Sequence, residues 1–143
     1  MTQRTQQAQQ TQQTQQTQQT QQTQQAQQAQ TGRLTVYADA VTLVRMCRPL
    51  WESIGRRHPE LAKQLRRSVV NVALNITEGD GRFDGNGRER LKTAMYEAKE
   101  TRDNLEIAAA AGLVDAAKVE AARRMADSIA ARLYRIVGAR RNA

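Results

Sequence analysis

From about residue 34 onward, apolar side chains return every three or four positions; before it they hardly occur. Four amphipathic segments result. In the first, about Leu34 to Arg57, Val41, Val44, Met46, Cys47, Leu50, Trp51 and Ile54 make a broad apolar face. Pro49 lies inside it and predicts a kink or break, because an interior proline removes one backbone hydrogen bond. The 58-HPE-60 stretch ends the segment, since the residue before a proline disfavours the helical region. His58 reads as a turn residue there. The second segment runs from Pro59 to Glu78, with Leu61, Leu65, Val69, Val72 and Ile76 on one stripe. Gly79 is the expected left-handed cap. The loop 79-GDGRFDGNG-87 follows, rich in glycine and without competing periodicity. The third segment, Arg88 to Ala111, turns Leu91, Ala94/Met95, Ala98, Thr101/Arg102, Leu105 and Ala108/Ala109 inward and ends at Gly112. The fourth opens near Asp115, a candidate N-cap. Ala122, Met125/Ala126, Ile129, Leu133 and Ile136 carry it to Gly138. Four such segments joined by short loops predict an all-α fold, an up-down four-helix bundle over residues 32–143.

Residues 1–31 behave differently. They repeat Thr-Gln-Gln in a period of three, with Arg4 the only charge. That period matches neither a helical stripe nor a strand alternation. With no apolar face to offset ordering entropy, the tract is expected to be a disordered Gln-rich tail, with induced helix or self-association as the lesser alternative. Lacking an apolar core segment, it is not a secretory signal.

Charge adds the first functional constraint. The chain carries 22 Lys and Arg against 14 Asp and Glu, a net charge of +8, and all but the Arg4 charge falls in residues 32–143. Arg dominates over Lys, and its planar fork suits phosphate. Arg45, Arg48 and Arg56 line the first helix, Lys63, Arg66 and Arg67 open the second, and Arg124, Arg132 and Arg135 stripe the fourth. Such grouping is the electrostatic footprint of a nucleic-acid-binding surface. The bland alternative is a solvated face balanced by Glu52, Glu89, Glu97, Glu100, Asp103 and Glu106. The only aromatics are Tyr37, Trp51, Phe83, Tyr96 and Tyr134, so contacts to RNA or DNA would be mainly to phosphates. The single cysteine, Cys47, excludes an intrachain disulfide and fits a cytoplasmic setting. No apolar run approaches the ~20 residues of a membrane span.

The string 64-QLRRSVVNVALNITEGDGR-82 resembles the signature of the 23S rRNA intervening-sequence proteins, a family of four-helix bundles. Gln64, Leu65, Arg66, Arg67, Asn75, Ile76, Glu78, Gly79, Gly81 and Arg82 carry the likeness. In 94-AMYEAKE-100, Ala94 and Glu100 match, while Tyr96 and Glu97 stand where that family has a Gly-Ser pair. The stretch 105-LEIAAAAGLVD-115 also fits, so the resemblance covers about residues 34–137. It extends to the accessory protein of diversity-generating retroelements. That likeness implies a basic homopentamer that binds nucleic acid and a reverse transcriptase.

Little else looks like chemistry. A carboxylate in the last turn of a helix opposes the helix dipole, so Glu78 needs a reason. One reading is structural: Asn75 and Glu78 share a face, tie down the loop with Gly79 and Gly81, and Glu78 pairs with an arginine. The others are ligand binding and catalysis, but no second acid, histidine or activated nucleophile accompanies it. The glycine loop fails as a calcium site because Arg82 or Arg88 falls where an oxygen ligand is required, and as a phosphate cradle because no strand precedes it. The expectation is a non-enzymatic accessory or adaptor protein, without metal or cofactor. Arg66, Arg67, Arg82, Arg124, Arg132 and Arg135 would meet RNA or DNA. The alternative is a structural homo-oligomer that docks a protein partner.

Overall fold

The computed structural model describes residues 2–79 and 85–141, with the side chains of 28–34, 85, 140 and 141 excepted. It is all-α, with no strand among the described residues. The elements are α1 (Thr2–Gly55), α2 (Pro59–Gly79), α3 (Gly85–Ala110) and α4 (Ala116–Arg141). The chain divides into two units, Met1–Gly32 and Arg33–Ala143. Gly81 and Arg82, both singled out from the sequence, lie outside the described residues.

In the first unit the Gln-rich tract, for which helix was the lesser of the expectations, is helical. Gln and Ala are good helix formers. The Thr hydroxyls at 11, 14, 17, 20 and 23 donate to the carbonyls four residues back, each at 2.9 Å. Residues 2–27 are exposed throughout, so local propensity and backbone hydrogen bonds hold this helix rather than packing.

The second unit has one core built from four stripes. On α1 the buried line is Val36, Ala40, Leu43, Cys47, Leu50 and Ile54, stepping alternately by four and three. Val44, Met46 and Trp51 flank it and are only partly buried. The face expected from sequence was therefore rotated: it included these flanks and omitted Leu43. On α2, Leu61, Leu65, Val69, Val72 and Ile76 are all buried; α3 adds Leu91, Ala94, Met95, Ala98, Leu105 and Ala108. Val119, Ala122, Ala126, Ile129, Ala130, Leu133 and Val137 complete the core from α4. Spacing of this kind keeps one seam facing inward along several turns. Helix α3 packs against both α2 and α4. Helix α1 runs on through Pro49 rather than ending there; Pro49 and Arg45 are exposed, so the missing hydrogen bond lies on the solvent side of the helix.

The turns explain where the helices stop. Gly112 has φ of 71°, the conformation that glycine adopts without a Cβ penalty. Around it Leu113 N–H donates to Ala108 O and Gly112 N–H to Ala109 O, both at 3.0 Å, a Schellman closure of α3. At the start of α2, His58 Nδ1 accepts a hydrogen bond from Leu61 N–H at 3.0 Å. The imidazole thus serves as the N-cap, a more specific role than a turn filler. Arg57 Nη2 donates to Gly112 O, which ties the α1–α2 turn to the α3–α4 turn. Replacing the cap, His58→Ala should lower stability by about 1 kcal/mol. Thermal unfolding should show this as a Tm drop of about 5 °C, and His58→Asn should retain most of the parent value.

Candidate nucleic-acid interface

The signature segment places its residues around the α2–α3 junction. Asn75 is buried, and its Nδ2 donates to Asn71 O at 2.8 Å, back into its own helix. Glu78 meets an arginine as expected. The partner is Arg90 of α3, with Nη1 to Oε2 at 3.2 Å and both side chains about half exposed. An exposed pair of this kind contributes about 0–1 kcal/mol. The motif's weight falls instead on Gly79. Its φ is not positive, which corrects the expected left-handed cap. A Cβ there would lie 2.9 Å from Gly87 O and 2.9 Å from Leu91 Cγ. The missing side chain lets the end of α2 press against the start of α3. Gly79→Ala should therefore cost about 1–3 kcal/mol through backbone overpacking, whereas Glu78→Ala should cost under about 1 kcal/mol. Denaturant melts of both variants check the ordering.

Further along, the α2–α3 contact is polar inside. Ser68 and Thr101 are fully buried and Asn104 nearly so. Ser68 Oγ donates to Leu65 O at 3.0 Å. Its oxygen faces Thr101 Oγ1 at 3.0 Å and receives Asn104 Nδ2 at 3.4 Å. Just outside this trio lies Glu97, which replaces a small residue in the resembled pattern. Its Oε2 is shielded from solvent and has no hydrogen-bond partner. Burial first, and then the charge of Glu100, push the Glu97 carboxyl above its ordinary value, against the pull of Arg67 and a hydrogen bond from Asn71. A carboxyl whose proton affinity is raised by the fold contributes stability that is fully present below its unfolded pKa and is lost as pH rises through the folded one. Glu97→Gln should therefore raise the Tm at neutral pH, and the gain should shrink to nothing as pH falls below the ordinary value of 4.5.

The six arginines chosen from sequence do not form one stripe. Arg66 and Arg135 are exposed and make no ion pair among the described residues. Arg67 pairs with Glu100 at 3.7 Å. Arg124 Nε sits 2.9 Å from Glu120. Arg132 bridges helices, with Nη2 2.6 Å from Asp39 Oδ2 and much of its side chain covered. Arg82 lies outside the described residues. On the α3–α4 face, Arg102 pairs with Asp103 and Asp127, and Arg123 with Glu106, Glu120 and Asp127. Hydrogen bonds from Arg123 and Arg124 hold the Glu120 carboxyl down at about 2.

Sequence reasoning missed His58, Arg90 and the Ser68–Thr101–Asn104 trio as functional parts of the architecture. Three polar residues on inward positions of apolar stripes were the available signal for the trio. Burial pushes the Cys47 thiol up to about 12, as befits a packed side chain. Among the described residues, no group of three His, Cys, Asp or Glu is placed to hold a metal. No described helix is long and apolar enough to cross a membrane.

A family model described as "23S rRNA-intervening sequence protein" matches residues 32–135. No curated protein and no solved structure matches the chain.

Proposed function

The chain belongs to the 23S rRNA-intervening sequence protein family over residues 32–135, and on that premise we propose that it is a non-enzymatic accessory or adaptor protein whose basic surface binds RNA or DNA. The observation that carries this reading is the uneven pairing of its cations. Arg45, Arg56, Lys63 and Arg66 on α1, α2 and their turn are exposed and have no ion-pair partner among the described residues; Arg135 on α4 is likewise free. Unpaired arginines can exchange water and counterions for phosphate without first breaking an internal pair. Arg67 and Arg124 keep exposed guanidinium edges beside their carboxylates. Arg132 is better suited to holding α4 against α1.

The same reading takes residues 32–143 as an up-down four-helix bundle that assembles as a homo-oligomer, a pentamer by family likeness, in the cytoplasm. A reverse transcriptase is the protein partner that the likeness suggests. Glu78 supports the non-enzymatic reading, because it is exposed and already paired with Arg90. The rival reading is a structural oligomer that docks a protein partner without nucleic acid. It is favoured by the exposed apolar side chains Leu74 and Ile107.

Binding of labelled RNA and single-stranded DNA to the full chain over a salt series separates the two, with mass measured in the same buffers. The expected result is a linear log–log fall in affinity with salt. Arg66→Glu combined with Arg135→Glu should weaken binding at least about tenfold and reduce the slope. An intact oligomer that binds neither nucleic acid at low salt would leave the protein-docking reading in its place.

A further inference from the structure

The α3–α4 seam is electrically divided along its length. Near the Gly112 turn it is neutralised: Arg102, Arg123 and Arg124 are interlaced with Asp103, Glu106, Glu120 and Asp127 at 2.8 to 3.8 Å. The antiparallel register follows from the contacts Arg102–Asp127 and Arg123–Glu106. Two helical turns from there on each helix, away from the Gly112 turn, or about 10 Å, α3 places the buried Met95 and α4 the exposed Tyr134. On either side of Met95 the α3 face toward α4 carries Lys99 and Lys92. Neither lysine has an ion pair among the described residues. The carboxylates one helical turn from them on α3, Asp103 from Lys99 and Glu89 from Lys92, are paired with Arg102 and Arg88. Opposite them, α4 supplies Ala131, Tyr134 and Gly138, with no described acid.

This half of the seam also exposes two aromatic rings. Tyr134 is 69% exposed and Tyr96 55%. The Lys99 ammonium stands 5.8 Å from the Tyr96 ring centre. At Gly138 an added Cβ would meet nothing within 4 Å, so the α4 surface is open there. Unpaired cations beside exposed rings are the two elements that a single strand uses, phosphates on the cations and unstacked bases on the rings. A duplex, with its bases stacked inside, could use only the cations.

We propose that the half-seam formed by Lys92 and Lys99 of α3 and Tyr134 of α4, with Tyr96 beside it, is a binding surface for single-stranded nucleic acid. It rests on the nucleic-acid reading above and adds to it a location, a strand preference and an aromatic contact that the arginine pattern did not suggest. The lysines neutralise phosphates, and Tyr134 stacks a base.

The test measures binding of a fluorescein-labelled oligo(dT) about 15 nucleotides long, and of a duplex of equal length, to the full chain over a salt series. The parent should favour the single strand. Lys92→Ala with Lys99→Ala should lower the log–log salt slope by about 1.4, the equivalent of two single-strand phosphate contacts. Tyr134→Ala should weaken binding about tenfold at unchanged slope, and Tyr134→Phe should restore it. Circular dichroism of each variant checks that these surface substitutions leave the helices intact. If the parent binds but neither the double-lysine variant nor Tyr134→Ala changes affinity, while Arg66→Glu does, the half-seam proposal is overturned and the broader reading stands. Equal affinity for duplex and single strand with no Tyr134 effect also overturns it. If the parent binds neither nucleic acid at low salt, both proposals fall together.

Discussion

The fold depends most on α2 and α3 meeting closely and in one register. Two contacts impose this. At the junction, Gly79 has no side chain because Gly87 O and Leu91 occupy the space a Cβ would need. Farther along, Ser68 and Thr101 bury their hydroxyls against each other, with Asn104 completing the set. A shift by one residue would put a methylene where backbone must pass and would strand buried polar groups at about 1–3 kcal/mol each. Apolar stripes alone tolerate sliding far better than hydrogen-bonded groups do. The polar trio therefore supplies specificity that Ala, Leu and Val packing does not.

With α2 and α3 set, the remaining charges sort by position. Helix α4 lies against α3 through the Arg102 and Arg123 network, and against α1 through Arg132 and Asp39. Each of these pairs is partly solvated and modest in energy. Their larger consequence is subtractive. They occupy arginines that would otherwise add to the basic surface, and they leave Arg45, Arg56, Lys63, Arg66, Lys92, Lys99 and Arg135 without ion pairs among the described residues. A net charge of +8 thus becomes a set of distinct free patches rather than an even coat.

Glu97 illustrates a cost of local sequence change. In the resembled signature its place belongs to a small residue; here a carboxyl enters beside Glu100 and the buried trio, with one oxygen shut off from water. The fold responds by raising its proton affinity, with Asn71 and Arg67 easing the charge. Tyr96, the other member of the replaced pair, points outward instead and becomes exposed surface.

Much was legible in the sequence because helix formation and burial are periodic. The α2 stripe from Leu61 to Ile76, the all-α class and the stops near Pro59 and Gly112 all follow from spacing and turn chemistry, which are local. For residues 2–27 the sequence left two readings, because an absent apolar face argues against order while the helix propensity of Gln and Ala argues for a helix. Gly79 could be recognised as special from sequence, but its reason could not. A left-handed cap and a close backbone approach ask for the same residue, and only the position of Leu91 and Gly87 decides between them. Ion pairing was beyond reach for the same reason. Whether Arg132 faces phosphate or Asp39 depends on a residue 93 positions away, and the freedom of Lys92 and Lys99 depends on what α4 fails to place opposite them. Composition determined that the protein is basic; tertiary structure decided which of its charges remain available, because charge is a property of residues and pairing is a property of distances.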